Sequence, residues 1–169
     1  AGAPRQRPRA GRTCGIRAWA GRLRSAGPRS RRCPIGGAAE KVVKAIEENG
    51  GWVVGYENCT GAKATEHCVD ETGDMYDALV EKYLAIGCSC MSPNTHRLAL
   101  LSHMVDTYQA DGVIDVILQA CHTYAVESAA IKRHVREHHN IPYMAIETDY
   151  STADIGQMST RVAAFIEML

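Results

Sequence analysis

The chain is short of several things that usually announce a function. Its 169 residues hold one Phe, two Trp and seven Tyr, so aromatic stacking surfaces for bases are scarce. No run is apolar enough for a secretory signal or a membrane span. No GxGxxG or GxxxxGK[ST] is present, which leaves the CPIGGAAE segment at 33–40 only a generic helix start rather than a nucleotide cradle. There is no CxxC pair and no closely spaced histidine-ligand motif, so a zinc ribbon or zinc hydrolase is disfavoured. Acidic residues are missing from the first 39 positions. Residues 1–32 carry ten Arg, leaving nine Lys/Arg against all nineteen Asp/Glu in the remainder, a net charge of −10. A domain of that sign is not a nucleic-acid binder.

What is there begins with an Arg/Ala/Gly/Pro stretch, 1–32, without helical or strand periodicity, which predicts a disordered leader. Three readings compete for it: an organellar presequence, a nucleic-acid-binding arm, and a wrong-frame or vector-derived stretch joined to a genuine domain. From residue 33 helical and strand patterns alternate. Val42, Val43 and Ile46 mark one face of a helix ending at Gly50-Gly51, and 52–57 (WVVGYE) is a short strand. The next helix, capped by Asp74 or Thr72, is expected to bury Met75, Tyr76, Leu79, Tyr83 and Leu84. THRLALLSHMVDTYQADG is a further helix, and 111–120 reads as a strand covered on both faces. A helix from about Val126 to His138, a strand at 142–149 and a last helix with Ile155, Met158, Val162, Phe165, Ile166 and Leu169 on one side complete the chain. The alternation predicts one α/β domain, 33–169, with a parallel sheet between helix layers.

Seven Cys without a secretory signal point to a reducing, cytoplasmic setting. Four of them, Cys59, Cys88, Cys90 and Cys121, stand in polar corners; Cys59 and Cys121 fall just past strand ends, where ligands collect in such sheets. Convergent thiolates without ligating His favour an iron–sulfur cluster over zinc, whereas any single cysteine can be a small packed hydrophobe, the reading that fits Cys68 best. Cys14 needs no role and Cys33 could serve either way. Beside Cys121, His122 could shuttle protons or simply face solvent. Glu127 could orient the site, pair with a base, or answer the helix dipole. Glu147 and Asp149 share a strand face, within reach of Arg161. His134, His138 and His139 read as a solvated face beside Arg133 and Arg136.

Taken together, CPIGGAAEKVVKAIEENGGWVVGYENCTGAKA, YLAIGCSCMSPN, DGVIDVILQACHTYAVES and IPYMAIETDYSTADIGQMSTRVAAFIEML resemble the carboxyl-terminal half of a subunit of the 2-hydroxyacyl-CoA dehydratase and benzoyl-CoA reductase family, most of all its double-cubane branch. The resemblance implies a flavodoxin-like parallel sheet with helices on both faces. It implies a [4Fe–4S] or double-cubane [8Fe–9S] cluster on Cys59, Cys121 and one of Cys88 and Cys90; His122, Glu127 and Glu147, read from their positions in the sequence, are the candidate catalytic groups. It also implies an ATP-dependent activator protein supplying a low-potential electron, dimerisation, and dehydration or reduction of a small or CoA-linked substrate. The family carries a preceding domain with further ligands, and a hydrophobic first strand where this chain has RSAGPRSRR. The four cysteines are therefore expected to form one side of a cradle completed by another domain or subunit, and activity of the chain alone is not to be presumed. The competing expectation is a non-catalytic interaction module with reduced thiols.

Overall fold

The structure, a computed structural model, describes residues 18–19, 37–58, 61–65 and 67–169. Helices and strands alternate through β1 (Ala18–Trp19), α1 (Gly37–Glu48), β2 (Gly55–Tyr56), α2 (Ala62–Thr65), α3 (Met75–Leu84), α4 (Thr95–Tyr108), β3 (Val113–Leu118), α5 (His122–His138), β4 (Tyr143–Thr148) and α6 (Ile155–Glu167). The sheet order is β2-β1-β3-β4. Its centre is the parallel pair β3–β4, in register from Val113 opposite Tyr143 to Leu118 opposite Thr148. Parallel strands need a long crossover, and α5 supplies it. Ala18–Trp19 lies between β2 and β3 and runs antiparallel to both; RSAGPRSRR, at 24–32, lies outside the described residues. Of residues 1–32 Ala18 and Trp19 alone are described; the expected disorder of the rest, and the roles of Cys14, Cys33 and Cys59, lie outside the described residues. The 52–57 run is a strand only at Gly55–Tyr56.

Helices cover both faces of the sheet, making the fold α/β. On one face α1 and α6 bury Val42, Ile46, Met158, Val162, Phe165 and Ile166 against Ile114 and Ile146. On the other, α4 and α5 bury Leu101, Met104, Ile131 and Val135 against Val113. Side chains alternate along a strand, so consecutive apolar residues such as Val113 and Ile114 feed two different cores. Each fully buried aliphatic or aromatic side chain contributes about 1.5–3 kcal/mol, which is why the near-continuous apolar run of β3 was legible as a central strand. α1 stops where predicted. Gly50 takes φ of +83°, a conformation costly to residues with a Cβ, and Gly51 N–H returns to the Ile46 carbonyl.

Three expectations are corrected by the packing. The apolar side of α3 is not buried: Met75, Tyr76, Leu79, Tyr83 and Leu84 are all exposed and only Ala78 is buried, although Asp74 caps the helix through the N–H groups of Tyr76 and Asp77 as expected. Cys68, expected in an apolar hole, is exposed. The three histidines near the end of α5 are not a uniformly solvated face. His134 and His139 are half-buried, and the Ser102 hydroxyl of α4 lies 2.7 Å from His134 Nε2 and 2.8 Å from His139 Nε2, while His134 stacks on the exposed His138 ring at 4.2 Å.

Burial, followed by the neighbouring His138 and His139 charges, holds the His134 pKa below its ordinary value. A histidine depressed in the fold favours the neutral form, so its contribution to stability is complete above the unfolded value near 6.5 and is lost as pH falls through the folded value. The His134 ring resonances are accordingly expected to titrate below pH 6.5, and the urea midpoint to fall with pH in that window. In His134→Gln the fall should be smaller; an unchanged pH dependence would remove His134 as its source.

Candidate functional site

Past the carboxyl end of β3 the chain makes a tight turn, with Cys121 N–H bonded to the Leu118 carbonyl and Ala120 at φ of +64°, and α5 then starts at His122. Gln119 N–H meets the Thr148 carbonyl, which fixes this turn to the end of β4. Cys121 therefore sits at the N-terminus of a 17-residue helix, the end that carries partial positive charge. Its sulfur is 3.7 Å from the Thr123 hydroxyl, and Ser89 Oγ donates to that same hydroxyl at 3.4 Å. Ser89 lies between Cys88 and Cys90. One hydroxyl pair thus stitches the Cys88/Cys90 corner to the Cys121 corner.

Within the first corner the Cys90 thiol donates to Cys88 Sγ at 3.4 Å. The Cys90 backbone N–H, the Cys90 thiol and, more weakly, the Lys63 charge lower the Cys88 pKa; the same thiol contact and the Cys88 charge raise that of Cys90. Cys88 is half-buried and Cys90 exposed. The two stand one residue apart but are not equivalent.

Beneath this rim lies a buried network of charges. Glu57, at the end of β2, is 1 % exposed and pairs with Lys63 at 3.0 Å and with Arg97 at 3.3 Å. Arg97, also 1 % exposed, reaches from α4 to Glu127 on α5. Asn94 stands at the start of α4 but does not cap it with its side chain; it donates instead to the Cys88 carbonyl at 2.8 Å and to Glu127 at 3.0 Å. Tyr124 presents its ring to Arg97, with 5.0 Å between the guanidinium carbon and the ring centroid, and its hydroxyl accepts from Lys63 at 3.5 Å. Buried charges are tolerable only when paired and hydrogen-bonded, and here two cations and two carboxylates share one cluster. It ties together the strand end two residues before Cys59, the Cys88 loop, and the helix begun at Cys121.

Of the residues singled out from sequence, Cys88, Cys90, Cys121 and Glu127 are brought to one region. His122 is exposed at the first position of α5. Glu147 is exposed at the end of β4 and forms no ion pair among the described residues. Asp149 lies past the strand, where Ser151 and, more weakly, Lys41 lower its pKa, and Arg161 donates to the Ala145 carbonyl rather than to either carboxylate. Lys41 also binds Asp154, whose pKa is lowered by Lys41 and then by the Thr148 hydroxyl. Among the described residues no three His, Cys, Asp or Glu side chains are close enough together to hold a metal ion.

Sequence reading missed Glu57, Lys63, Asn94 and Arg97. The signal for Arg97 was available: Arg97, Leu100, Leu101, Met104 and Val105 are the buried positions of α4, spaced i, i+3, i+4, i+7, i+8, so an arginine occupies a core position of the helix. Nothing local in the sequence marks its partners.

The sequence profile of the family described as 2-hydroxyglutaryl-CoA dehydratase, D-component, matches residues 31–169. The chain belongs to that family. It is also 83 % identical, over 137 residues, to a protein of Escherichia coli (strain K12) that carries the provisional name dehydratase subunit YjiM. That match takes in 81 % of this chain and 36 % of the relative, so the chain spans little more than a third of the curated relative's length. No helix among the described residues is long and apolar enough to cross a membrane.

Proposed function

We propose that this chain is the cysteine-bearing α/β domain of a dehydratase subunit, holding one side of an iron–sulfur cluster that acts on a 2-hydroxyacyl-CoA or a related small substrate. The observation that carries the reading is the juncture of the Cys88 and Cys121 corners through Ser89 and Thr123, above the buried Lys63 and Arg97 cations. The donor chemistry fits: thiols on polar loops, with no histidine among them, suit an iron–sulfur cluster. When bound, such a cluster supplies one-electron chemistry and a site for a substrate oxygen. The chain's own residues supply the rest. With the Cys90 N–H and thiol, the Lys63 charge helps hold the Cys88 pKa low, and Arg97, Asn94 and Glu127 fix the loop and the helix that aim the thiols. His122, exposed beside Cys121, would exchange protons with a bound substrate, and Glu147 is a second carboxylate at the same end of the sheet. The family resemblance names Cys59 as a further ligand. An ATP-dependent activator delivers the electron, the rest of a full-length subunit or a second subunit closes the site, and the cytoplasm is the matching compartment.

The 3.4 Å separation of the Cys88 and Cys90 sulfurs supports different roles for the two. Each iron of a cubane takes one protein thiolate, so two sulfurs in mutual contact serve one iron at most. The half-buried Cys88, whose carbonyl is clamped by Asn94, is the ligand, and Cys90 is its hydrogen-bond donor. Protein prepared anaerobically should contain iron and acid-labile sulfide and show a cluster EPR signal after reduction with dithionite. Cys88→Ser and Cys121→Ser should each lose most of the iron, and Cys90→Ser and Cys68→Ser should retain it. A folded, colourless, iron-free wild-type chain would overturn the assignment for this chain and leave the non-catalytic interaction module as its reading.

A further inference from the structure

The helix α3 is amphipathic the wrong way round. Tyr76, Val80, Tyr83 and Leu84, spaced i, i+4, i+7 and i+8, form one stripe with exposures of 71, 55, 65 and 65 %. Ala78, the buried residue of the helix, lies on the opposite side of the cylinder. A contiguous apolar face carrying two Tyr marks a protein interface rather than ordinary scatter of surface hydrophobics. The helix is ordered by its Asp74 cap, so the stripe is displayed in a fixed conformation.

We infer that this face docks the part of a full-length family chain that lies outside the span shared here, through apolar surface rimmed by Lys or Arg. Two observations select that occupant. The first is charge. The described residues along and just before the stripe include exposed Asp70, Glu71, Asp74, Asp77 and Glu81 against Lys82 alone. A second copy meeting this face through a twofold axis would oppose acid to acid, whereas a basic rim is complementary. The second is extent: about two thirds of the relative's chain falls outside the match, enough polypeptide to cover the helix. The position of α3 gives the contact a consequence. The helix ends at Leu84 and the chain passes through Ala85, Ile86 and Gly87 straight into Cys88, so whatever seats on α3 lies three residues from the cysteine rim. The inference does not depend on what the cysteines bind.

The test uses intact YjiM with its matched span replaced by the corresponding residues of this chain and a protease site at the upstream junction. After cleavage the two pieces should stay together on size exclusion, and benzoylphenylalanine placed at Tyr83 should cross-link to the other piece. Tyr76→Lys/Tyr83→Lys should weaken their association at least roughly tenfold, as expected for two aromatic anchors. The same substitutions in the 169-residue chain should leave its urea midpoint unchanged, since both side chains are exposed. Association unaffected by the double substitution, cross-links confined to the same piece, or a dimer of the 169-residue chain that the substitutions abolish would each overturn the inference.

Discussion

Replacing Arg97 with methionine will destabilise the domain by about 3–5 kcal/mol, the usual effect of removing one partner from a buried ion pair. A domain of this size has roughly 5–15 kcal/mol of stability in all, so the urea midpoint should move by a large fraction of its value. The cause is not lost packing, because methionine fills much of the same volume. Glu127 and Glu57 are left as carboxylates facing a site from which their shared guanidinium has gone. Lys63 still pairs with Glu57, but nothing described replaces the Arg97 contact to Glu127 except Asn94. Arg97→Met/Glu127→Leu should therefore recover part of the loss, and the non-additivity measures the coupling. Arg97→Lys should rescue little, since an ammonium cannot span both carboxylates as a planar guanidinium does. A loss below about 1 kcal/mol for Arg97→Met would show that the network is not what fixes the loops.

A second large effect is expected at Gly87, the residue before Cys88. A Cβ there would stand 2.7 Å from Arg97 Cβ, 2.8 Å from Arg97 N and 2.9 Å from Arg97 Cα. Two of those atoms are backbone of α4 and cannot swing aside, so Gly87→Ala must push the cysteine corner away from the helix. Overpacking of this kind costs about 1–3 kcal/mol, and with rigid obstacles the upper end applies. The displacement also lengthens the Asn94 contact to the Cys88 carbonyl, so iron content should drop together with stability. If Gly87→Ala matches the wild type in both, the loop is not seated against α4 as described. Gly87 and Arg97 are thus one device: the missing side chain of the first lets the second lie under the cysteine loop.

Both positions show how far the sequence could be read. Periodicity found β3, β4, α1 and α6 because each has a majority of side chains obeying one period, and burial of that majority is a local property of the segment. It failed at α3 for the same reason: the i, i+4, i+7 pattern there was real, but a pattern states that a face seeks cover, not which molecule covers it. The buried network was invisible because Glu57, Lys63, Arg97 and Glu127 are scattered over 71 positions, and a charge reads as surface until a partner is seen beside it. Cys68 was assigned to packing and proved exposed, since a lone cysteine in a polar stretch carries no local signal of its depth.

The amino-acid order by itself determined the α/β class, the alternation that places Cys121 just past a strand end, and the family. Those depend on short-range periods, turn chemistry and motif identity, all written along one segment at a time. Only the tertiary structure decided that Ser89 meets Thr123, that Cys88 and Cys90 differ, that Arg97 lies buried among carboxylates, and that α3 turns its apolar side outward. Each of those is a contact, or the lack of one, between segments far apart in the chain, and the free energy that selects it belongs to the folded pair rather than to either sequence.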